Sequence, residues 1–154
     1  MLTPEEVREI EGEAGHYPVR QAVAIDALRI VQQHRRWVSD DAIRDLAAFL
    51  QMSEADLEGI ASFYNLIYRK PVGRHVIHLC DSISCWVVGY QRVRQALSAR
   101  LGVDFGETTA DARFTFLPTV CLGCCDRAPA MLVDGELHVH LNSENVAAAL
   151  EQYP

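Results

Sequence analysis

The sequence predicts an α/β protein in two parts, an N-terminal helical bundle over residues 1–70 and a small α/β domain over residues 71–154. Three observations predict it. Up to about residue 70, apolar side chains recur at helical spacing and are punctuated by capping signals. Pro71 and Gly73 then mark a boundary, after which short segments of strand formers take over. Two short cysteine clusters fall where predicted strands run out into loops.

In chain order, Thr3-Pro4-Glu5-Glu6 combines a capping box with proline at the first helical position. Gly12, Gly15 and Pro18 break the chain before a second helix, roughly residues 20–36. Its apolar stripe is Val23, Ala24, Ala27, Leu28, Ile30 and Val31. Ser39-Asp40-Asp41 caps a third helix with Ile43, Leu46, Ala47 and Leu50 on one face. Ser53-Glu54-Ala55-Asp56 opens a fourth, which runs into the aromatic stretch 63–68.

In the second part, His75-Val76-Ile77-His78-Leu79-Cys80 alternates as a strand ending on a cysteine. A helix follows over about residues 86–101 and is stopped by Gly102. Residues 114–120 form a second strand, in which Pro118 indicates an edge or a bend. Residues 130–133 and 136–141 pair through an Asp134-Gly135 turn. Ser143-Glu144-Asn145 caps a last helix containing Val146, Ala147 and Leu150. The order reads β-α-β-β-β-α, with no internal repeat and no low-complexity segment.

The bulk properties exclude several classes of function. A 49% hydrophobic and 23% charged composition is that of an ordinary globular protein. A net charge of -7 without any basic run argues against a surface for nucleic acid. No stretch approaches the roughly 20 apolar residues that span a bilayer, so no direct membrane insertion is expected. The acidic, helix-capped start has neither a secretory h-region nor an Arg-rich transit character. A cytoplasmic location follows as the expectation, and there clustered cysteines read as metal-binding or redox-active before they read as disulfides. No phosphate-cradling loop, nucleophile–base set or Rossmann fingerprint is present, so no catalytic residue is assigned and neither NADH nor flavin is expected on this chain.

Chemistry therefore concentrates on five cysteines, Cys80, Cys85, Cys121, Cys124 and Cys125. Neighbouring strands would deliver both clusters to one end of a sheet. A [2Fe–2S] centre takes two thiolates per iron, and loops supply backbone N–H groups that offset its negative charge. Gly123 would let the backbone approach an inorganic sulfide. Structural zinc is an equal rival on spacing, because both gaps fall within the usual two to four residues. The Cys121-Leu-Gly-Cys124 spacing also keeps a thioredoxin-type dithiol open.

The surrounding motifs separate these rivals. Cys80-Asp-Ser-x-x-Cys85, then Gly89-Tyr90, then Phe116-Leu117-Pro118 leading to Cys121-Leu-Gly-x-Cys125-Asp-x-Ala-Pro129, resembles the thioredoxin-like [2Fe–2S] protein family. Upstream, residues 23–28, 59–64 and 69–75 resemble its longer members, the E-type subunits of NADH:quinone oxidoreductase, respiratory complex I. The resemblance implies a thioredoxin-like [2Fe–2S] ferredoxin fold for residues 71–154. It further implies one [2Fe–2S] cluster on Cys80, Cys85, Cys121 and Cys125. The position of Cys124 is not usually cysteine in that family, so it places a competing thiol beside Cys125. Adjacent cysteines point in different directions, and Cys124 is expected to be a bystander thiol.

The same resemblance implies a non-catalytic electron-transfer subunit of a proton-translocating complex. FMN and NADH would lie on a partner flavin- and NADH-binding subunit, with other peripheral-arm iron–sulfur subunits nearby. The cluster would lie off the main electron chain towards quinone, as an electron store or a modulator of flavin lifetime. The chain would sit on the cytoplasmic face of a bacterial inner membrane, held there through the complex. Three alternatives stand beside this reading. One is the equivalent subunit of a soluble NAD-dependent formate dehydrogenase or hydrogenase. The others are a free-standing thioredoxin-like ferredoxin, which resembles only the second domain, and a zinc-stabilised interaction module.

Several further residues take ordinary readings. His78 shares a strand face with Cys80 and reads as a half-buried strand histidine. His138 and His140 alternate along one exposed strand face. Trp86 either shields the cluster or packs at a helix start. Phe63, Tyr64 and Tyr68 read as inter-domain packing, and Asp26, Arg29, Arg35 and Arg36 as solvated helix faces.

Overall fold

Capping residues set the helix starts of the first unit, Met1–Pro71, in the computed structural model, which describes residues 1–154. Helix α1 spans Pro4–Ala14. Thr3 Oγ1 accepts the Glu6 N–H at 3.2 Å, and the Glu6 carboxylate accepts the Thr3 N–H at 2.7 Å. Gly12 lies inside this helix, so the expected break there is corrected. One helical glycine costs only about 1 kcal/mol, and the chain turns at Gly15 instead. The predicted second helix opens with a 3₁₀ turn at Arg20–Val23 before α2, Ala24–Arg35. Helix α3, Asp40–Leu50, starts where Ser39 Oγ accepts the Ala42 N–H. Helix α4, Glu54–Phe63, starts where Ser53 Oγ accepts the Asp56 N–H. All the stripe residues read from the sequence are buried, in one core with Ile10, Val38 and Leu57.

One feature of this unit differs from expectation. Arg35 is no solvated side chain. Its Nε and Nη2 both donate to the Glu6 carboxylate at 2.6 Å, and Glu6 has no exposed surface. Burial works to raise the Glu6 carboxyl, but the Arg35 hydrogen bonds, the Thr3 N–H and the Arg35 charge outweigh it and hold the group below its ordinary value. Phe63 is 80% exposed and Tyr64 is also exposed.

The second unit, Val72–Pro154, is built on a five-stranded sheet in the order β2-β3-β1-β4-β5. The strands are β1 His75–Cys80, β2 Glu107–Thr108, β3 Phe114–Thr119, β4 Met131–Val133 and β5 Glu136–His138. Strand β1 runs parallel to β3 and antiparallel to β4. Parallel neighbours need a crossover, supplied here by α5, Ile83–Val88, and α6, Tyr90–Leu101. The last five residues of β1 are all buried, so it is a covered central strand and not an alternating one. Ile77, Leu79, Phe116 and Met131 pack there with Val93 and Leu97 of α6 and with Val146 and Leu150 of α7, Asn145–Leu150.

The expected single helix over 86–101 is therefore two. Gly89, at φ 127°, separates them, and the first begins three residues early at Ile83. Strand β2 escaped notice because two exposed residues carry no pattern. It pairs only with Thr115 and Phe116, so Pro118 sits where β3 has no strand on that side. Asp134 and Gly135, at φ 52° and 90°, make the predicted hairpin turn. Strand β5 ends at His138, so His140 shares no strand face with it. The last helix has Glu144 at its N-cap without a side-chain cap bond, and Asn142 Oδ1 just before it accepts the Glu144 and Asn145 N–H groups.

Gly73 opens this unit against backbone. A Cβ there would lie 3.0 Å from the Ala112 and Arg113 carbonyl oxygens, while the Gly73 N–H donates to Thr115 Oγ1 at 2.7 Å. Gly73→Ala is expected to cost about 1–3 kcal/mol, read as a lower denaturant midpoint. An unchanged midpoint would contradict so close an approach.

Candidate metal centre

Parallel pairing decides where the cysteines go. Cys80 is the last residue of β1 and is the register partner of Thr119, the last residue of β3. The ladder continues into both exits, with the Cys80 N–H donating to the Ala130 carbonyl and the Asp81 N–H to the Thr119 carbonyl, each at 3.1 Å. Cys121 follows two residues beyond Thr119, so both clusters leave the same end of the sheet, as the strand-end placement required.

The thiols form a buried pair and an exposed pair. Cys80 and Cys85 are buried, with Cys85 in the first turn of α5. Burial first, then the hydrogen bond with Cys80 and the charges of Cys80 and Cys124, push the Cys85 thiol up to about 11. Cys121 and Cys125 are exposed, with sulfurs 3.3 Å apart. The Gly123 N–H donates to Cys121 Sγ at 3.4 Å, and this contact, with the hydrogen bond shared with Cys125, lowers the Cys121 thiol below its usual value. The bond shared with Cys121 raises Cys125, which also meets the Ser84 side chain at the start of α5 and feels the charge of Cys80. The exposed pair lies at the same end of the sheet as the buried one. All five cysteines are free thiols.

Two thiol pairs without an imidazole or carboxylate among them suit a group with two metal atoms, each taking two sulfurs. A single tetrahedral zinc would need all of its ligands around one point. Gly123 sits at φ 78° with nothing within 4 Å of where a Cβ would stand, leaving open space beside the exposed pair. Such a glycine and its N–H suit the approach of an inorganic sulfide.

Adjacent Cys124 and Cys125 do face differently. Cys124 is 7% exposed and precedes the 3₁₀ turn Cys125–Arg127, whereas Cys125 is open to solvent. His78 is more buried than its sequence suggests, and burial holds its imidazole down to about 4, hence neutral at pH 7. Trp86 is 54% exposed. It belongs to an apolar surface that the sequence left unmarked, comprising Ile83, Trp86, Val87 and Val88 of α5 and Val120 beside Cys121, all exposed. Apolar periodicity signals burial, so no pattern distinguishes apolar residues that stay outside.

Residues 10–154 match the family described as thioredoxin-like [2Fe–2S] ferredoxin. The chain is 47% identical over 152 residues to the E subunit of NADH-quinone oxidoreductase from Escherichia coli strain K12, covering 99% of this chain and 92% of that relative. It is 44% identical over 153 residues to the protein of the same name from Pseudomonas aeruginosa, again covering 99% and 92%. Among solved structures, a chain of an air-oxidized NAD⁺-reducing [NiFe]-hydrogenase is similar at a TM-score of 0.68 and 28% identity. That likeness covers 82% of this chain and 22% of the hydrogenase chain.

Proposed function

The chain belongs to the thioredoxin-like [2Fe–2S] ferredoxin family, and within it to the E-type subunits of NADH-quinone oxidoreductase, and from that premise we propose that it is an electron-transfer subunit of such an oxidoreductase, holding one [2Fe–2S] cluster on Cys80, Cys85, Cys121 and Cys125. The single observation that carries this reading is the parallel β1/β3 register, which brings two thiol pairs to one sheet end. When bound, the cluster supplies one-electron redox chemistry. The polypeptide supplies the rest. Cys80 and Cys85 hold their sulfurs within the sheet core, away from water. The Gly123 N–H withdraws charge from the Cys121 sulfur, a contact of the kind that tunes potential.

The exposed thiol pair and the apolar residues of α5 support a partner at this end of the unit. We assign it as a flavin- and NADH-binding subunit on which hydride oxidation occurs, with other iron–sulfur subunits of the same assembly further off. No helix is long and apolar enough to cross a membrane, and attachment through those partners on the cytoplasmic face fits the reading. Likeness to the hydrogenase chain favours a second reading, the same electron-transfer position in an NAD-linked hydrogenase. Identity of 47% along nearly the whole chain weighs for the quinone enzyme.

Isolation of the native assembly through a tag on this chain, with metal, acid-labile sulfide and flavin analysis, tests the proposal. About two iron and two sulfide per chain, with flavin and NADH–quinone reductase activity co-isolating, are expected. Zinc without iron removes the redox reading, and nickel in the assembly transfers the chain to a hydrogenase.

A further inference from the structure

Five thiols crowd the end of this sheet, and a two-iron group with two sulfurs per iron uses four. The surplus thiol is not a surface accident. Cys124 is more than nine-tenths buried, on the inner side of its loop, and lies close enough to Cys85 for its charge to act on that thiol. Its neighbour Cys125 faces solvent. Cys124 also follows Cys121 in a Cys-x-x-Cys spacing, itself within the range used for metal chelation.

Only Leu122 and Gly123 separate Cys121 from Cys124. None of these residues belongs to the sheet ladder, and β3 ends at Thr119. Gly123, at φ 78° and with no atom within 4 Å of a Cβ position, holds a left-handed conformation that glycine adopts freely and leaves open space beside the loop. Downstream, the Arg127 N–H donates to the Cys124 carbonyl at 2.9 Å, which anchors the 3₁₀ turn by its backbone and leaves the Cys124 side chain uncommitted by that contact.

Resting on the [2Fe–2S] reading, we propose that Cys124 is a reserve ligand, buried beside the site so that its thiolate takes over the metal position of Cys125 when the Cys125 sulfur is lost. The exchange is not a redox step. Cys124 gives its proton to water and binds as a thiolate, so one anionic sulfur replaces another.

Four forms of the full chain, purified anaerobically, test this: wild type, Cys124→Ala, Cys125→Ala and the double variant. Each is read by iron and sulfide content, visible absorption and the electron paramagnetic resonance of the reduced protein. Cys124→Ala is expected to match wild type. Cys125→Ala should retain about half or more of the wild-type iron with shifted g-values, and the double variant should lose about tenfold or more. Circular dichroism checks that the variants fold, and Cys125→Ser replaces the alanine form if that one does not. A Cys125 variant as empty as the double variant overturns the reserve role. So does a Cys124→Ala protein that loses its iron while Cys125→Ala keeps a wild-type spectrum, since Cys124 would then be a principal ligand. Wild type without iron and sulfide overturns both readings, whereas intact wild type beside an empty Cys125 variant overturns the reserve role alone.

Discussion

Cys80→Ala is expected to strip the chain of bound iron, by about tenfold or more, with the visible absorption and reduced paramagnetic signal disappearing together. Cys80 is held by pairing on both sides, to β3 in parallel and through its own N–H to the Ala130 carbonyl. A strand residue fixed in this way cannot be replaced by the movement of a loop, so no other thiolate is brought to its position. Removing one buried sulfur should cost the fold only about 1 kcal/mol, so the iron-free variant should still melt cooperatively. Metal analysis beside thermal unfolding separates the two effects. Wild-type iron content in this variant would remove Cys80 from the proposed ligand set.

The second large effect lies in the helical unit. Arg35→Ala leaves the Glu6 carboxylate buried without its cation, a change that costs about 3 kcal/mol, the lower end of the usual range because Arg35 keeps 28% of its side chain exposed. The Thr3 N–H bond alone cannot replace two bonds at 2.6 Å. Since the folded carboxyl is held below its unfolded value, the unfolded chain binds more protons in acid. The contribution is therefore complete above the ordinary carboxylate range and is lost as pH falls through the depressed folded value. Urea denaturation across that range should show an acid-side slope in wild type and a flatter one in Arg35→Ala. The exposed pair Arg44–Asp41 supplies a control, because breaking it should change stability little. Equal losses at both pairs would show that burial of Glu6 contributes nothing.

What could be read from the chain follows how local each signal is. Thr3, Ser39 and Ser53 announce helix starts because a cap and the N–H it receives lie within three residues. Asp134-Gly135 announces a hairpin for the same reason. Cys80 at the end of β1 and Cys121 just beyond β3 are legible because a strand and its exit are contiguous. The Glu6–Arg35 pair joins residues 29 apart, and nothing near either residue foretells it. Gly89 divides two helices, yet a lone glycine within helical periodicity reads as a tolerated defect. The inward turn of Cys124 depends on the dihedrals of Gly123 and the turn that follows, which spacing does not encode.

The pairing of Cys80 with Thr119 also fixes which changes of chain length the site tolerates. The two halves of the site are aligned by a ladder and not by the number of residues between them. The segment joining α6 to β3 can therefore lengthen while the thiols keep their places, provided the pairing survives. One residue added between Phe114 and Cys121 has no such freedom. If the ladder slips to absorb it, Cys121 and Cys125 move about 3.3 Å along the strand, and the interior residues of β3 exchange faces. For this chain, insertions and deletions are thus a finer probe of the site than many substitutions, since they test alignment while leaving every sulfur present.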